Sequence, residues 1–189
     1  MSLLRAIDDI KEEIANKTVQ KREEYLRYIN EHIENVKRAY DIFVSIDWDE
    51  SIISHDDLVL LGDRIKRHDE SKYSDEEFEG FRMHFHSINE KEKQEHQEEY
   101  DEAWKHHYMT NDHHPEHWVH DGIVEEMSIT AIAEMICDWQ AMSFKYGGTC
   151  LSWYNTIKGT DDDKNLHPNT RDKLEDMMTI YERKLTEGQ

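Results

Sequence analysis

Proline, glycine and cysteine are scarce in this chain, with two, seven and two copies respectively in 189 residues. So few prolines and glycines leave few places where a helix must break, which predicts long helices joined by short connections. Two cysteines, Cys137 and Cys150, are too few for a disulfide framework and lack metal-ligand spacing, so both are read as reduced and packed. No stretch approaches 18 apolar residues, and the amino terminus alternates apolar with acidic residues instead of carrying a signal segment. These absences predict a cytoplasmic chain with no membrane partner. Bases are outnumbered by 43 acids to 23, and the formal charge of −20 repels nucleic acid and anionic lipid alike. An anionic substrate would then need a local positive field, which bound metal ions can supply.

What the chain has in quantity is helical periodicity. Leu3, Ile7, Ile10 and Ile14 repeat at four, three and four residues, a narrow seam for another helix, internal or from a second subunit. Thr18 is the expected cap of a second helix running to about Ile46, with Leu26, Ile29, Ile33, Val36, Tyr40 and Phe43 inward and His32 on the edge of that stripe. A helix from about Asp56, capped by the His55-Asp56 pair, carries Leu58, Leu61 and Ile65 at spacings that lead to His68. Ser74 with Glu77 reads as a capping box before Phe78, Phe81 and Phe85. Asn89–Glu99 is a polar run, read as a solvated helical face or a mobile loop, and Tyr100, Trp104, His107 and Asn111 form the next stripe. A helix from Ile123 to about Tyr146 ends at Gly147-Gly148. Asp161-Asp162-Asp163 is expected in a solvated loop, and a last helix from about Pro168 presents Leu174, Met178, Tyr181 and Leu185. The expectation is an all-α single domain over 1–189, a bundle of about six to eight helices with no sheet. Within it, 1–24 is an extension, 25–145 the core of the site and 146–189 a C-terminal segment.

Several chemistry-bearing residues fall on these inward stripes. Arg67-His68-Asp69-Glu70-Ser71-Lys72 places a His-Asp pair before a lysine. Adjacent helical residues point about 100° apart, so His68 and Asp69 can reach one ion together only where the helix ends. His107 faces inward with two aromatics while His106 turns away, and Pro115 biases His114 toward extended backbone, holding His113 and His114 on a short connection. On the helix after Ile123, Glu134 and Asp138 lie on an otherwise apolar stripe, costly unless paired, protonated or bound to a cation. Plainer readings stand beside each: a buried His-Asp hydrogen bond, a satisfied core histidine at His32, a salt bridge at Glu134 or Asp138, and pairing of Lys72 with Asp75 or Glu76.

In chain order the inward set is His32, His68-Asp69, His107, His113-His114 and Asp138. That order resembles the HD superfamily of helical metalloenzymes, and the separations of His32, His68-Asp69 and Asp138 are similar to those of its bacterial deoxynucleotide 5′-phosphatases. His68-Asp69-Glu70-Ser71-Lys72 looks like the His-Asp-x-x-Lys of the cyclic-dinucleotide phosphodiesterase branch, without that branch's Gly-Tyr-Pro signature. Together with Asn111-Asp112-His113-His114 and Glu134-Met135-Ile136-Cys137-Asp138-Trp139, it also resembles an uncharacterised family of bacterial and phage domains. The resemblance implies metal ligands at His32, His68, Asp69, His107, His114 and Asp138, holding one or two divalent ions of iron, manganese, cobalt, nickel or zinc. It further implies Lys72, Glu134 and Glu70 in catalysis, with His113, Asn111 and Lys72 toward substrate. The expected activity is hydrolysis of a small anionic phosphoester such as a nucleotide. The alternatives are a di-iron oxygenase on a similar ligand set and a non-catalytic helical binding module.

Overall fold

The computed structural model describes residues 3–160 and 162–187. Among them are eight α-helices: α1 Leu3–Val44, α2 His55–Ile65, α3 Phe78–Phe85, α4 Glu90–Glu95, α5 Gln97–Thr110, α6 Ile129–Tyr146, α7 Cys150–Ile157 and α8 Pro168–Glu187. The fold is all-α, as the scarcity of helix breakers predicts. None of these helices is long and apolar enough to cross a membrane.

The structure corrects the predicted elements in five places. Asn16-Lys17-Thr18 does not interrupt α1, because the Thr18 hydroxyl bonds back to the Ile14 carbonyl at 3.0 Å within the helix instead of capping a new one. The cap of α2 is Ser54, in a reciprocal box with Asp57, and not the His55-Asp56 pair. No capping box starts α3, since the Glu77 carboxylate is turned toward two histidines. A two-stranded antiparallel sheet, β1 Val119–His120 with β2 Ile123–Val124, occupies residues expected to be sheet-free or helical, so α6 begins later, behind the N-cap Ser128. Asp121 and Gly122, both at positive φ, form its two-residue turn; Asp-Gly is a hairpin signal that was readable in the sequence. Finally, Asp163 is buried and accepts hydrogen bonds from Tyr154, Gly159 and Arg171, so it is not a solvated loop acid. Asp161 and the side chain of Asp162 lie outside the described residues.

The chain divides into two compact units. One comprises the chain up to Glu31 with Glu70–His107, and holds the first part of α1, a 3-10 turn at Glu70–Tyr73, and α3 to α5. Its buried residues include Tyr25, Ile29, Phe81 and Ala103. Gly80 lets α3 approach α5, because a Cβ there would lie 2.4 Å from the Glu99 carbonyl oxygen. The seam residues Leu3, Ile7, Ile10 and Ile14 are exposed.

The other unit comprises His32–Asp69 with the chain from Tyr108 onward. Its centre is α6, which packs on α2, α7 and α8. Ala131 through Cys137 are all buried, a helix covered on every side rather than along one stripe. Val36, Ala39 and Phe43 of α1, Leu61 and Ile65 of α2, and Leu174, Met178 and Tyr181 of α8 close the core around it, with Leu185 partly buried. Cys137 and Cys150 are both free and buried there. Two acids on so enclosed a helix need partners, and Glu134 and Asp138 are those acids.

Candidate metal centre

The unit built on α6 gathers its polar groups at the end of α2. That helix stops at Ile65, the chain turns through Lys66 and Arg67, and Asp69 sits at φ 58°, in the left-handed region. Asp tolerates this conformation better than most residues. The turn is what brings His68 and Asp69, both buried, to the same place. His32 arrives from α1 and Asp138 from α6, one helical turn beyond Glu134.

His32 Nε2 lies 3.2 Å from Asp69 Oδ2 and 3.0 Å from Asp138 Oδ1. His68 Nε2 is 3.5 Å from Asp69 Oδ2 and 3.7 Å from Asp138 Oδ1. Neither nitrogen makes a well-directed hydrogen bond, although both are buried. Buried imidazole nitrogens are almost always paired, so two that converge on carboxylate oxygens without bonding them are arranged as donors around a common point. His32, His68 and Asp138 form a group of ligand atoms within 4.8 Å of one another, able to hold a metal ion.

Behind this group, His68 Nδ1 is 2.8 Å from Glu134 Oε1. A proton on Nδ1 leaves the Nε2 lone pair facing the carboxylates, the tautomer a ligand histidine needs. Glu134 Oε2 in turn accepts from Arg64 Nε at 2.6 Å. The same guanidinium holds Asp112, with Nη1 3.2 Å from Oδ2 and Nη2 bonded to Oδ1. Next to Asp112, His113 is buried with Nδ1 3.4 Å from Glu134 Oε1 and Nε2 3.7 Å from Asp69 Oδ1. His114, extended at φ −90° and ψ 130° before Pro115 as its position predicts, sets its ring tilted with its centroid 4.3 Å from that of His113. Ligand atoms of Asp69, His113 and His114 also lie within 4.8 Å of each other. The two Asp69 oxygens thus face different imidazoles.

The electrostatics follow from burial opposed by charge. Burial would lower the pKa of His68, but the Asp69 carboxylate, with Asp138 and Glu134, outweighs it and raises the value to about 10. Burial would raise Asp138, yet His32 and His68 hold it well below the usual carboxylate range. Glu134 is likewise lowered against its burial, by His113 and His68.

The other unit has a smaller constellation. Glu77 is fully buried, and its two oxygens each lie 2.8 Å from an imidazole Nδ1, of His106 and of His107. His107 is buried and His106 is 40% exposed on its side chain, as the helical stripe predicts. The Ser71 hydroxyl stands 3.4 Å from His107 Nδ1. Burial raises the Glu77 pKa, and hydrogen bonds from His107, His106 and Ser71 lower it by more. Lys72 is half-buried on the 3-10 turn of this unit, which the exposed Glu70 opens. Asn111, in the unit of His113 and His114, is half-buried just past α5, and its carbonyl accepts from the His114 amide at 3.3 Å.

Among the residues expected from the sequence, the structure brings together His32, His68, Asp69, His113, His114, Glu134 and Asp138 in one unit. His107, Lys72 and Glu70 belong to the other. Three participants were missed: Arg64, Asp112 and Glu77. Arg64 was legible as a base one turn before His68, and Asp112 as the acid beside His113. Glu77 was misread as a cap.

The chain belongs to the DUF5662 family, a family of unknown function, whose model matches residues 21–180. No curated protein and no solved structure matches it.

Proposed function

We propose that the chain is a metal-dependent phosphohydrolase of the HD type, acting on a small phosphoester such as a nucleotide. The observation that carries the reading is the convergence of His32 Nε2 and His68 Nε2 on the Asp69 and Asp138 carboxylates without hydrogen bonds. His32, His68, Asp69 and Asp138 would hold one ion. Asp69, through its other oxygen, would share a second with His113 and His114. Nitrogen and oxygen donors together suit iron, manganese, cobalt, nickel or zinc. When bound, such ions supply Lewis acidity toward a phosphoryl oxygen and lower the pKa of water.

Local charge supports an anionic substrate. Taken by themselves, Asp69, Asp112, Glu134, Asp138 and Arg64 carry a net excess of three negative charges when the histidines are neutral. Two divalent ions would overturn that excess by one charge and leave the site attractive to an anion, in a chain whose formal charge is −20. Glu134 has one oxygen on His68 and the other on Arg64, so its part is to hold the ligand imidazole. Lys72, three residues after Asp69 in the chain, is the group assigned to a phosphate oxygen.

The test crosses manganese, cobalt, iron, nickel and zinc with nucleoside monophosphates, cyclic nucleotides and generic phosphodiesters, on wild type and Lys72→Ala. Metal-dependent phosphate release that falls in Lys72→Ala without loss of metal supports the reading. A second reading, a di-iron oxygenase, draws on the same Asp69, whose two oxygens face different imidazoles as a bridging carboxylate would. Oxygen uptake by the iron form, with no turnover of any phosphoester, would favour it.

A further inference from the structure

We propose that Arg64 is a positioning residue of this centre, one guanidinium fixing both the carboxylate behind His68 and the segment that carries His113 and His114. The inference rests on the reading of the cluster as a metal site and adds to it a group that touches no ion. Arg64 stands in the last turn of α2, four residues before His68, which follows once the chain has turned through Lys66 and Arg67. Its Nε edge meets Glu134 Oε2 at 2.6 Å, and Glu134 Oε1 stands behind two imidazoles, 2.8 Å from His68 Nδ1 and 3.4 Å from His113 Nδ1.

The Nη groups close on both oxygens of Asp112. Asp112 is pinned from its main chain as well, since its carbonyl accepts from Trp118 Nε1 at 2.7 Å. The residue that leads directly into His113 is therefore held at its side chain by Arg64 and at its backbone by the following 3-10 turn. Three segments meet at one planar fork: the end of α2, the middle of α6 and the loop after α5. A lysine ammonium is a point charge without two such edges and could satisfy one carboxylate at a time in this geometry.

If the fork positions the donors, its loss weakens metal binding through misdirected imidazoles while the ligands themselves remain. The experiment titrates cobalt(II) into metal-free wild type, Arg64→Met, Arg64→Lys, Asp112→Asn and Glu134→Gln, following heat of binding and the cobalt absorption bands. Thermal unfolding of each metal-free variant accompanies it. The expected result is an affinity about 10- to 100-fold lower in Arg64→Met with altered bands. Arg64→Lys should restore thermal stability more fully than affinity, a split that a purely structural arginine would not give. Because Arg64 acts in part through Glu134, Arg64→Met combined with Glu134→Gln should lose less affinity than the two single losses added, the remainder being the hold on Asp112. Should Arg64→Met fail to fold, Arg64→Lys and Asp112→Asn carry the same comparison. Wild-type cobalt affinity and bands in the folded arginine and Asp112 variants would overturn this inference alone, whereas no cobalt binding by wild type would overturn the metal site with it.

Discussion

Two buried glutamates, Glu134 and Glu77, each stand against the Nδ1 atoms of two histidines, but their surroundings differ in charge. Glu134 shares its unit with Asp69, Asp112 and Asp138 and has Arg64 on its second oxygen. Glu77 is a single carboxylate between two imidazoles and a serine hydroxyl. One proton shared with His106 or His107 is enough to balance Glu77. No arrangement of one proton balances the acids around Glu134. There the surrounding carboxylates outweigh burial and hold the pKa of His68 near 10. The difference separates a carboxylate that one proton balances from a set of acids that one proton does not.

The largest expected effect comes from removing a donor outright. Asp69→Asn keeps a residue that tolerates positive φ and removes the carboxylate shared between the two ligand groups, so bound metal should fall below detection while the fold survives. Elemental analysis of the purified variant decides it; metal content equal to wild type would end the argument for Asp69. Next in size is the ion pair behind the ligands. Arg64→Met leaves Glu134 buried beside other acids and should cost about 3 kcal/mol in chemical denaturation of the metal-free protein.

The pH dependence should also separate the two regions. His68 has a folded pKa of about 10 against about 6.5 in an unfolded chain, so its contribution to the metal-free fold is fully present below about pH 6.5. That contribution is lost as pH rises toward 10. Asp138 and Glu134 act in the opposite sense: their depressed values stabilise the fold above their unfolded pKa near 4, and that part is lost in acid. Stability in excess chelator should therefore peak between about pH 4.5 and 6.5, and His68→Gln should flatten its alkaline side. Metal affinity should rise with pH up to about 10, because the proton on His68 must leave before a metal binds. A metal affinity independent of pH from 6 to 9 would contradict this assignment.

The helices and the chain order of the donors were legible because both rest on local periodicity. Leu61, Ile65 and His68 do lie on one inward line, and Asp69 does leave it through a bend. Pro115 fixed the extended His114 from one position away. What failed depended on competition between partners. Thr18 could cap or bond backward, and nothing local chooses between them. Glu77 three residues after Ser74 has capping spacing, yet two histidines about thirty positions later draw its carboxylate away. Arg64 is visible as a base four residues before His68, but its pairing is not, since its acceptors lie 48 and 70 residues further along the chain. The split of the candidate residues between two units depends on such long-range pairing as well.

The smallest effect, and the sharpest test of the contrast, is expected from replacing each glutamate by glutamine. Glutamine offers one acceptor and one donor where glutamate offers two acceptors. At Glu77 that exchange can be absorbed: the amide oxygen accepts from one imidazole Nδ1, and the amide nitrogen donates to the other once that ring changes tautomer. Glu77→Gln should then cost about 1 to 2 kcal/mol, the difference between charge-assisted and neutral hydrogen bonds. Nitrogen-15 spectra should find His106 and His107 in different tautomers. At Glu134 the exchange has no such outlet. If the amide oxygen stays on Arg64, the amide nitrogen meets His68 Nδ1 and drives the proton to Nε2, the nitrogen that faces Asp69 and Asp138. If the oxygen turns to His68, the amide nitrogen opposes the arginine. Glu134→Gln should therefore lose metal affinity even where its fold persists. Equal costs for the two substitutions, with metal affinity kept in Glu134→Gln, would mean that both carboxylates are merely structural.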